Sequence, residues 1–515
     1  MVFPFSRSHP LQLGHAHFAV KTPARPPFRQ QQQHRRFRGD FCSKNQQGAF
    51  CSLRRCFDAL FVRLRVRARG SFPDMMPDSF HRKALAKELR PRLSLDEALS
   101  EANRCLFCYD APCMRACPTR IDVPLFIRQI ATGNPGGAAR TILSANILGA
   151  TCARVCPTEV LCEGACVLND QHKPIAIGPL QRHATDFAMD TGQPVLVAGT
   201  KRSGSVGIIG AGPSGLACAA ELLRLGVESV IYEASDVPGG LNASGIAQYK
   251  VTPEFVAKEI AWLVSAGVRI QCGVRVGKDV SVSELERRHD AIFVGVGLGA
   301  IPNISIEGEQ LPGVWDALDF ISALKRGDTE VFEALLGAKV AVIGGGNTAM
   351  DVATQAMRSG AAKAWLVYRR GREQMSAYPH EVELATQHGA ELVLFAVPHR
   401  VVGPSRGTTR RASRIAGLEF GRKVPDGGQK LETLPADLVI RATGQKGTEL
   451  LKELPVKLDG NQVVADADGR TSDPRYFSGG DCVSGGEEVV HAVAAGRRTA
   501  QTIAADLFSK QRNAL

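Results

Sequence analysis

The chain has 515 residues, enough for about three domains, and its 44% hydrophobic and 22% charged content is ordinary for a globular protein. The formal net charge of +12 comes from residues 1–70, where twelve Arg and two Lys face only two acids, so the rest of the chain lacks the basic surface that nucleic acid needs. No run of about 18 apolar residues occurs, which excludes a membrane-spanning helix.

Residues 1–75 form a basic N-terminal part with few acids and no clear hydrophobic period. Such a composition predicts a disordered or loosely ordered extension. An Arg-rich, acid-poor N-terminus is also typical of organellar transit peptides. We favour a third interpretation, in which translation starts at Met75 or Met76 and the preceding residues are a misassigned upstream extension.

Residues 76–190 are predicted to be mostly helical. Ser94 and Glu97 have the spacing of a capping box, which predicts a helix that begins after Ser94 and runs into Cys105. Asp122 precedes an apolar run with Pro124 in its first turn, and this predicts a second helix. The cysteines are expected in the loops between and after these helices.

Eight of the fourteen cysteines lie in two dense groups within this helical part. The first group has the pattern C-x2-C-x4-C-x3-C-P and comprises Cys105, Cys108, Cys113 and Cys117. The second group comprises Cys152, Cys156, Cys162 and Cys166. Thiolates at such close spacing are typical of iron–sulfur clusters, in which each iron takes one thiolate. The Cys-Pro pairs are similar to the closing element of ferredoxin-type runs, whose last cysteine often serves the other cluster.

Two other interpretations of the cysteines carry less weight. Structural zinc also uses C-x2-C pairs, but usually as two pairs that a longer spacer separates and that close four ligands. Disulfides need an oxidising compartment, whereas the nucleotide-binding motifs described below indicate the cytoplasm.

A dinucleotide-binding fingerprint follows a strand predicted at residues 205–209. The segment that fits G-x-G-x-x-G comprises Gly210, Ala211, Gly212, Pro213, Ser214 and Gly215. Its glycines permit a tight turn, the approach of a pyrophosphate, and close packing of helix on strand. The next strand ends at Glu233, whose carboxylate can accept hydrogen bonds from ribose hydroxyls. A further glycine turn comprises Gly239, Gly240 and Leu241.

A second fingerprint follows a strand predicted at residues 340–343. It comprises Gly344, Gly345, Gly346, Asn347, Thr348 and Ala349, with alanine in the place of the third glycine. The next strand, predicted at residues 364–368, ends in Arg369 and Arg370 instead of an acid. An acid there would repel a 2′-phosphate, whereas arginine can pair with one, so a phosphorylated dinucleotide is an open alternative.

The sequence of the C-terminal part indicates that the chain returns to the first dinucleotide-binding domain after completing the second. A strand over residues 476–481 ends in Gly-Asp and precedes a helix over residues 489–507. In flavoproteins with two dinucleotide sites such a segment returns to the first domain.

The predicted fold class is α/β with an N-terminal α-helical iron–sulfur domain and two Rossmann-like dinucleotide-binding domains, the second inserted in the first. The predicted domains are a double [4Fe–4S] domain (76–190), an FAD-binding domain (191–302 plus 442–515) and an NAD(P)-binding domain (303–441).

One group of a histidine and two acids within the second dinucleotide domain can be interpreted as a metal site. It comprises His380, Glu381 and Glu383. A solvated helix face is the interpretation that we favour for these residues.

From about Ser94 to the C-terminus, the chain resembles the flavin and iron–sulfur electron-input module of dihydropyrimidine dehydrogenase. The broader group includes the small subunit of glutamate synthase. The resemblance rests on the run T-C-A-R-V-C-P-T from Thr151 to Thr158, on Cys162 and Cys166, and on the segment I-G-P-L-Q that ends at Gln181.

The resemblance implies two [4Fe–4S] clusters, one of them with a glutamine ligand. The first ligand set that it implies is Cys105, Cys108, Cys113 and Cys166. The second is Cys117, Cys156, Cys162 and Gln181, which leaves Cys152 as a spare thiol. Flavin contacts are implied at Gly210 to Ser214, Glu233 to Leu241, Lys250, Val276, Gly480, Asp481 and Val489. Contacts with the nicotinamide dinucleotide are implied at Gly345 to Thr348, Arg369, Arg370, Ala442, Thr443 and Gly444.

The resemblance also bears on the choice of dinucleotide. The animal NADPH enzyme has a further arginine in the loop after the Arg pair, where this chain has Ser376. Bacterial subunits of this type are NAD-linked. The implied cofactors are therefore FAD, two [4Fe–4S] clusters and NAD(P)H, with NADH favoured.

The implied function is that of an NAD(P)-dependent oxidoreductase of the dihydropyrimidine dehydrogenase (NAD+) type, EC 1.3.1.1-like. Electrons would pass between NAD(P)H, FAD and the clusters, and an FMN-containing catalytic subunit, in a heterotetramer, would reduce uracil or thymine. No nucleophile or acid–base dyad needs to be assigned on this chain. The alternatives are a glutamate synthase small subunit that delivers NADPH electrons to a glutamine-dependent large subunit, and a non-enzymatic iron–sulfur redox sensor or scaffold.

Overall fold

The computed structural model describes residues 88–404, 415–423 and 429–514. The predicted basic extension, residues 1–75, lies outside the described residues. The described chain forms a helical domain followed by two parallel sheets with their helices.

The helical domain forms because short apolar stretches are separated by capping residues and glycine. The capping box of Ser94 and Glu97 is confirmed, since each side chain accepts a hydrogen bond from the other residue's backbone N–H. Asp122 caps the third helix by accepting from the N–H of Leu125. The helices are α1 (Leu95–Asn103), α2 (Pro112–Arg115), α3 (Val123–Ala131), α4 (Pro135–Ala145), α5 (Gly149–Val155) and α6 (Ile177–Thr191).

The apolar faces of these helices meet in one core. Phe126 and Ile127 of α3 and Ile142 of α4 are completely buried in it. Two of the cysteines do not lie in loops: Cys113 is in α2 and Cys152 is in α5. The prediction of loop positions was wrong for these two, because the short helices α2 and α5 form within the cysteine groups themselves.

The first sheet has five parallel strands in the order β15-β4-β1-β2-β3. Its strands are β1 (Ser205–Ile209), β2 (Glu228–Glu233), β3 (Ile270–Cys272), β4 (Ala291–Val294) and β15 (Tyr476–Ser478). The helices that follow its first three strands are α7 (Pro213–Arg224), α8 (Leu241–Ser244), α9 (Pro253–Ser265) and α10 (Val282–Arg288).

The second sheet also has five parallel strands, in the order β5-β12-β6-β7-β8. Its strands are β5 (Val314–Asp316), β6 (Lys339–Ile343), β7 (Lys363–Val367), β8 (Ala390–Val393) and β12 (Leu438–Arg441). Its helices are α11 (Ala317–Lys325), α12 (Thr329–Leu335), α13 (Asn347–Arg358) and α14 (Pro379–Gln387). The whole of this sheet lies between β4 and β15 in the sequence.

Smaller elements complete the described fold. An antiparallel sheet comprises β9 (Ala396–Val402), β10 (Gly417–Lys423) and β11 (Gln429–Leu434), and a two-stranded ribbon comprises β13 (Leu458–Asp459) and β14 (Gln462–Val463). After β15 come α15 (Asp481–Ser484) and α16 (Val489–Ala514).

The strands that begin the two fingerprints lie where the sequence predicts them. Several boundaries differ from the predicted ones: β6 and β7 each begin one residue earlier, and β7 stops at Val367. β15 stops at Ser478 because the chain turns into α15 at Asp481, and α16 extends to Ala514. Among the described helices, none is long and apolar enough to cross a membrane.

Candidate functional site

Four thiols line one opening at the surface of the helical domain. They belong to Cys105, Cys108, Cys113 and Cys166, all partly exposed. The chain reverses between the first two at Phe107, which has a φ of 51°, a conformation that non-glycine residues seldom adopt. Burial raises the pKa of Cys113 to about 11, and the other three thiols add to this rise. The structure therefore brings Cys166 to a group that is distant in sequence.

A second group of thiols lies deeper in the same domain. Cys117 and Cys152 are buried. A hydrogen bond with Cys152, together with burial, raises the pKa of Cys156 well above the ordinary value, and the thiols of Cys162 and Cys117 contribute. Cys152, the predicted spare thiol, is therefore a direct neighbour of Cys156.

Gln181 lies on α6, which packs against α5, the helix that carries Cys152. It is 7% exposed, and its amide Nε2 donates to the carbonyl of Gly149 at 2.7 Å. Within the described residues, its amide oxygen Oε1 accepts no hydrogen bond. An amide held by its nitrogen can offer its oxygen to a metal.

The arrangement of the cysteine thiols favours polynuclear iron–sulfur clusters over single metal ions. In the part of the chain that the structure describes, no three His, Cys, Asp or Glu side chains form a group that could hold a single metal ion. Four thiols spaced around one opening are a donor set of the kind that a cubane cluster needs.

The run from Thr151 to Thr158 positions the second thiol group. The carbonyl oxygen of Thr158 accepts from the N–H groups of Leu161, Glu163 and Gly164, which closes the turn between Cys156 and Cys162. Within the same run, Arg154 is buried and pairs with Asp186 at 2.7 Å and with Glu88 at 3.2 Å.

Arg90 reaches this turn from before α1. Its guanidinium donates to the carbonyl of Cys156 at 3.1 Å and pairs with Glu159 at 2.6 Å. Sequence analysis did not single out Arg90, because nothing in its local pattern points to a partner 66 residues away.

Glu259 of α9 joins the first sheet to the helical domain. Its carboxylate accepts from the backbone N–H of Thr151 at 3.0 Å and also from the Thr151 hydroxyl. Burial raises the pKa of Glu259 from 4.5 to about 7. Because the folded-state pKa is the higher one, the stability that the protonated carboxyl contributes is complete below about pH 4.5 and is lost as the pH rises through 7.

We therefore predict that Glu259→Gln gains stability relative to wild type as the pH rises. The amide oxygen can accept from the Thr151 N–H and the amide nitrogen can donate to the Thr151 hydroxyl oxygen, and the side chain cannot become charged. Between about pH 5.5 and 8, the difference in unfolding free energy should shift by about 2 kcal/mol in favour of the variant. Thermal unfolding of both proteins across this range measures it, with exposed Glu330→Gln as the control that follows wild type. Parallel pH profiles for Glu259→Gln and wild type would contradict the prediction.

Three glycine turns converge at the N-terminus of α7. Gly210 has a φ of 101°, and a Cβ on Gly215 would lie 2.0 Å from the carbonyl oxygen of Gly210. Gly212 caps α7 and has open space where a Cβ would be. Gly240 has a φ of 55°, and its Cβ would lie 2.8 Å from the Cα of Gly212. The open space at Gly212 lies at the positive end of a helix, which suits a pyrophosphate.

Glu233 holds the first glycine turn from the end of β2. Its carboxylate accepts from the N–H of Ala211 at 2.7 Å and from the N–H of Ser235 at 2.8 Å. A carboxylate has about four acceptor positions, so two remain for ribose hydroxyls. Val276, a predicted flavin contact, is a buried residue. Two residues before it, the N–H of Val274 donates to the carbonyl of Glu233.

The C-terminal segment returns to this turn. Gly480 has a φ of 85°, and a Cβ there would lie 2.8 Å from the hydroxyl oxygen of Ser214. Asp481 follows in α15, where burial raises its pKa, and Val489 begins α16. Sequence analysis missed Gly496, at which a Cβ would lie 2.0 Å from the Ser214 carbonyl oxygen.

Lys250 is directed toward the second sheet. Its ammonium pairs with Asp351 of α13 at 2.8 Å and with Glu381 of α14 at 2.5 Å. Glu381 is only 8% exposed, so the solvated helix face that we predicted for His380, Glu381 and Glu383 is wrong at Glu381. The acid is buried because it has a cationic partner from the first sheet's domain.

The second fingerprint forms a turn like the first. A Cβ on Gly344 would lie 2.3 Å from the carbonyl oxygen of Ala442, and one on Gly345 would lie 2.6 Å from the Tyr368 ring. Gly346 caps α13. The predicted residues that converge here are Gly344, Gly345, Gly346, Asn347, Thr348, Ala442, Thr443 and Gly444.

The predicted arginine pair lies beside this turn. Arg369 and Arg370 follow β7 and are both exposed. Arg372, in the same loop, is a third exposed guanidinium that sequence analysis overlooked. The Ser376 hydroxyl oxygen would lie 3.3 Å from a Cβ on Gly346, so this serine lines the turn.

Two protein families match the chain. Residues 82–193 match the family described as dihydropyrimidine dehydrogenase domain II, 4Fe-4S cluster. Residues 204–496 match the pyridine nucleotide-disulphide oxidoreductase family. The two matches divide the chain at the junction between the helical domain and the first sheet.

Two similar proteins come from Escherichia coli (strain K12). The NAD-dependent dihydropyrimidine dehydrogenase subunit PreT is 36% identical over 424 residues, which cover 81% of this chain and 96% of PreT. The glutamate synthase [NADPH] small chain is 33% identical over 444 residues, which cover 82% of this chain and 94% of that one.

Among solved structures, the His57Gln mutant of FprA from Mycobacterium tuberculosis has a similar fold, with a TM-score of 0.50. The similarity covers 61% of this chain and 86% of FprA, at 22% sequence identity.

Proposed function

The chain belongs to the pyridine nucleotide-disulphide oxidoreductase family, together with PreT and the small chain of glutamate synthase, and we propose that it feeds electrons from NADH to a pyrimidine-reducing partner subunit. The partner would contain FMN, would reduce uracil or thymine to the 5,6-dihydropyrimidine, and would form a heterotetramer with this chain. The cofactors on this chain are FAD, NAD(P)H and [4Fe–4S] clusters. When bound, the reduced dinucleotide would donate a hydride to FAD, and the clusters would carry the two electrons onward one at a time.

The observation that carries this proposal is the division of the thiols into two groups in one domain. We assign one cluster to Cys105, Cys108, Cys113 and Cys166, and the other to Cys117, Cys156, Cys162 and Gln181. The electrostatic contacts among the thiols support this division, because Cys105 is influenced by Cys108 and Cys166, and Cys156 by Cys162 and Cys117.

The two glycine turns supply the dinucleotide sites in this proposal. The N-terminus of α7, with Glu233 and the Gly480 turn, would hold FAD, and the N-terminus of α13 with Arg369 would hold the nicotinamide dinucleotide. The return of β15 to the first sheet supports domain limits of 191–302 plus 442–515 for FAD and 303–441 for NAD(P).

A second candidate function is that of a glutamate synthase small chain. The 33% identity over 94% of that protein favours it nearly as much. The two candidates share their cofactors and differ in the partner that receives the electrons.

The choice of dinucleotide gives a prediction. The exposed guanidinium groups of Arg369 and Arg370 can pair with a 2′-phosphate, but Ser376 stands where a further arginine would complete the clamp. A charge-assisted hydrogen bond contributes about 1.5–3 kcal/mol, so its loss shifts the preference roughly ten- to a hundredfold. We expect NADH to match or exceed NADPH in kcat/KM with ferricyanide as acceptor, and a hundredfold advantage for NADPH would contradict this.

Reconstitution with each partner tests the proposed function. Pyrimidine reduction needs a hydride donor and a proton donor on opposite faces of the ring, and the described residues offer no such second site. The chain alone should therefore reduce ferricyanide with NADH and leave uracil unchanged. Addition of the FMN-containing subunit should start NADH-dependent uracil reduction.

The outcomes separate the candidates. Glutamate formation after addition of a glutamate synthase large subunit would establish the second candidate instead. Uracil reduction by the chain alone would refute the division of labour between subunits. Absence of ferricyanide reduction by the cofactor-loaded chain with either NADH or NADPH would leave only a redox sensor or scaffold.

A further inference from the structure

Lys325 extends from the second sheet's domain into the first. It is the last residue of α11 and is only 8% exposed. Its ammonium donates to three backbone carbonyls, those of Asn242 at 2.9 Å, Ile246 at 2.9 Å and Val251 at 3.1 Å. An ammonium has three N–H donors, so every donor of Lys325 is used across this domain boundary.

The three carbonyls belong to one short segment, residues 242–251. This segment follows the Gly239–Leu241 turn, which contacts the first glycine turn through the N–H of Gly239 and the carbonyl of Ala211 at 2.9 Å. Asn242 and Val251 are buried, where a backbone carbonyl without a partner would be costly. Lys325 is thus the partner that satisfies the carbonyls which α8 and the turns after it leave free.

A second lysine crosses the same boundary in the opposite direction. Lys250, inside the segment, pairs with Asp351 at 2.8 Å and Glu381 at 2.5 Å of the second sheet's helices. The hydroxyl of Tyr249 also donates to Asp351 at 2.7 Å. The segment is therefore held at its two ends by groups of the other domain.

The charges around these lysines are balanced by acids from several elements. Burial opposes the charge of Lys250, but Asp351 and Glu381 raise its pKa. Burial lowers the pKa of Lys325 to about 7, against the influence of Asp351 and of Glu254 on α9. Asp351 thus acts on both lysines and makes them parts of one network.

We propose that Lys325 is a positioning residue, which fixes segment 242–251 and thereby sets where bound FAD lies relative to the nicotinamide dinucleotide. The inference rests on the assignment of the two dinucleotide sites in the proposed function. Hydride transfer depends steeply on the distance and alignment of the reacting groups, and a displacement of about 1 Å can cost a hundredfold in rate. Lys325 itself lies outside both glycine turns and does not form part of either binding turn.

Lys325→Met tests this role, because methionine keeps most of the apolar stem and removes all three donors. Hydrogen exchange of the purified holoenzyme should become at least about tenfold faster at the amides of residues 245–251. FAD content and the KM for NADH should stay near wild type, while kcat with ferricyanide falls about tenfold or more. The control is Arg326→Met, the exposed neighbouring cation on the same chain segment, which should change neither exchange nor kcat.

Hydrogen exchange and kcat together decide whether Lys325 is a positioning residue. Unchanged exchange in residues 245–251, or faster exchange with unchanged kcat, would overturn it. If Lys325→Met does not fold, Lys325→Gln, which retains two amide donors, should show the same pattern with a smaller effect, and wild-type behaviour of that variant would equally overturn the proposal. Failure of the proposed function is separate, because wild-type protein would then lack NADH:ferricyanide turnover while the exchange result is unaffected.

Discussion

Gly215→Val is expected to abolish FAD binding. A Cβ at this position would lie 2.0 Å from the carbonyl oxygen of Gly210, a backbone atom that cannot move without opening the turn between β1 and α7. We expect FAD content to fall below about a tenth of wild type and NADH:ferricyanide turnover to fall at least a hundredfold. Iron content should persist, because the thiols lie in the helical domain. Flavin absorbance after acid release and iron analysis measure the two quantities.

The control for this substitution is Gly403→Val. A Cβ on Gly403 would meet only the side chain of Leu311, at an ordinary contact distance of 3.8 Å. The control should keep both flavin and turnover. A Gly215→Val protein that binds FAD as fully as wild type would show that the first glycine turn is not the flavin site.

Cys156→Ala is expected to remove one of the two clusters. The wild-type chain should contain about eight irons, and the variant about four, because a cubane that loses one of its four protein ligands is not retained. FAD should remain bound, since the glycine turns belong to a different domain. Iron and sulfide analysis of anaerobically purified protein, with flavin content measured on the same sample, checks both expectations.

Two further variants test the ligand assignment around Cys156. Cys152→Ala should keep both clusters, because Cys152 is assigned as a neighbour of Cys156 and not as a ligand. Gln181→Ala should lose the second cluster. If Cys152→Ala loses iron and Gln181→Ala does not, the fourth ligand is the thiol and the glutamine assignment is wrong. Stoichiometric zinc with little iron in wild-type protein would refute the cluster proposal itself.

The sequence predicted those features that depend on local chemistry. The strand before Gly210 is short, mostly apolar and buried, and the glycine spacing after it has few uses other than a turn into a helix, so both are confirmed in their predicted places. The cap at Ser94 is confirmed for the same reason, because its partner Glu97 lies three residues away.

Features that depend on contacts between distant segments could not be predicted from local sequence patterns. The pattern of α14 does not reveal that Glu381 meets Lys250, since the two are 131 residues apart. Lys325 likewise looks like an ordinary basic residue near a helix C-terminus until three carbonyls from residues 242–251 surround it. The division of the thiols came from the family resemblance, because spacing alone does not say which cysteines share a cluster.

The return of β15 to the first sheet constrains the order in which the chain can fold during synthesis. Ser478 bonds to the carbonyl of Val294 across 184 residues, and the entire second sheet is made between them. A domain emerging from the ribosome can fold as soon as its own residues are available, so the helical domain and the second sheet can form early. The first sheet must wait with one edge of β4 exposed until residue 478 is translated, and long-range pairing of this kind is slow. If the Gly480 turn holds FAD as we propose, flavin capture is therefore a late step in the maturation of this protein.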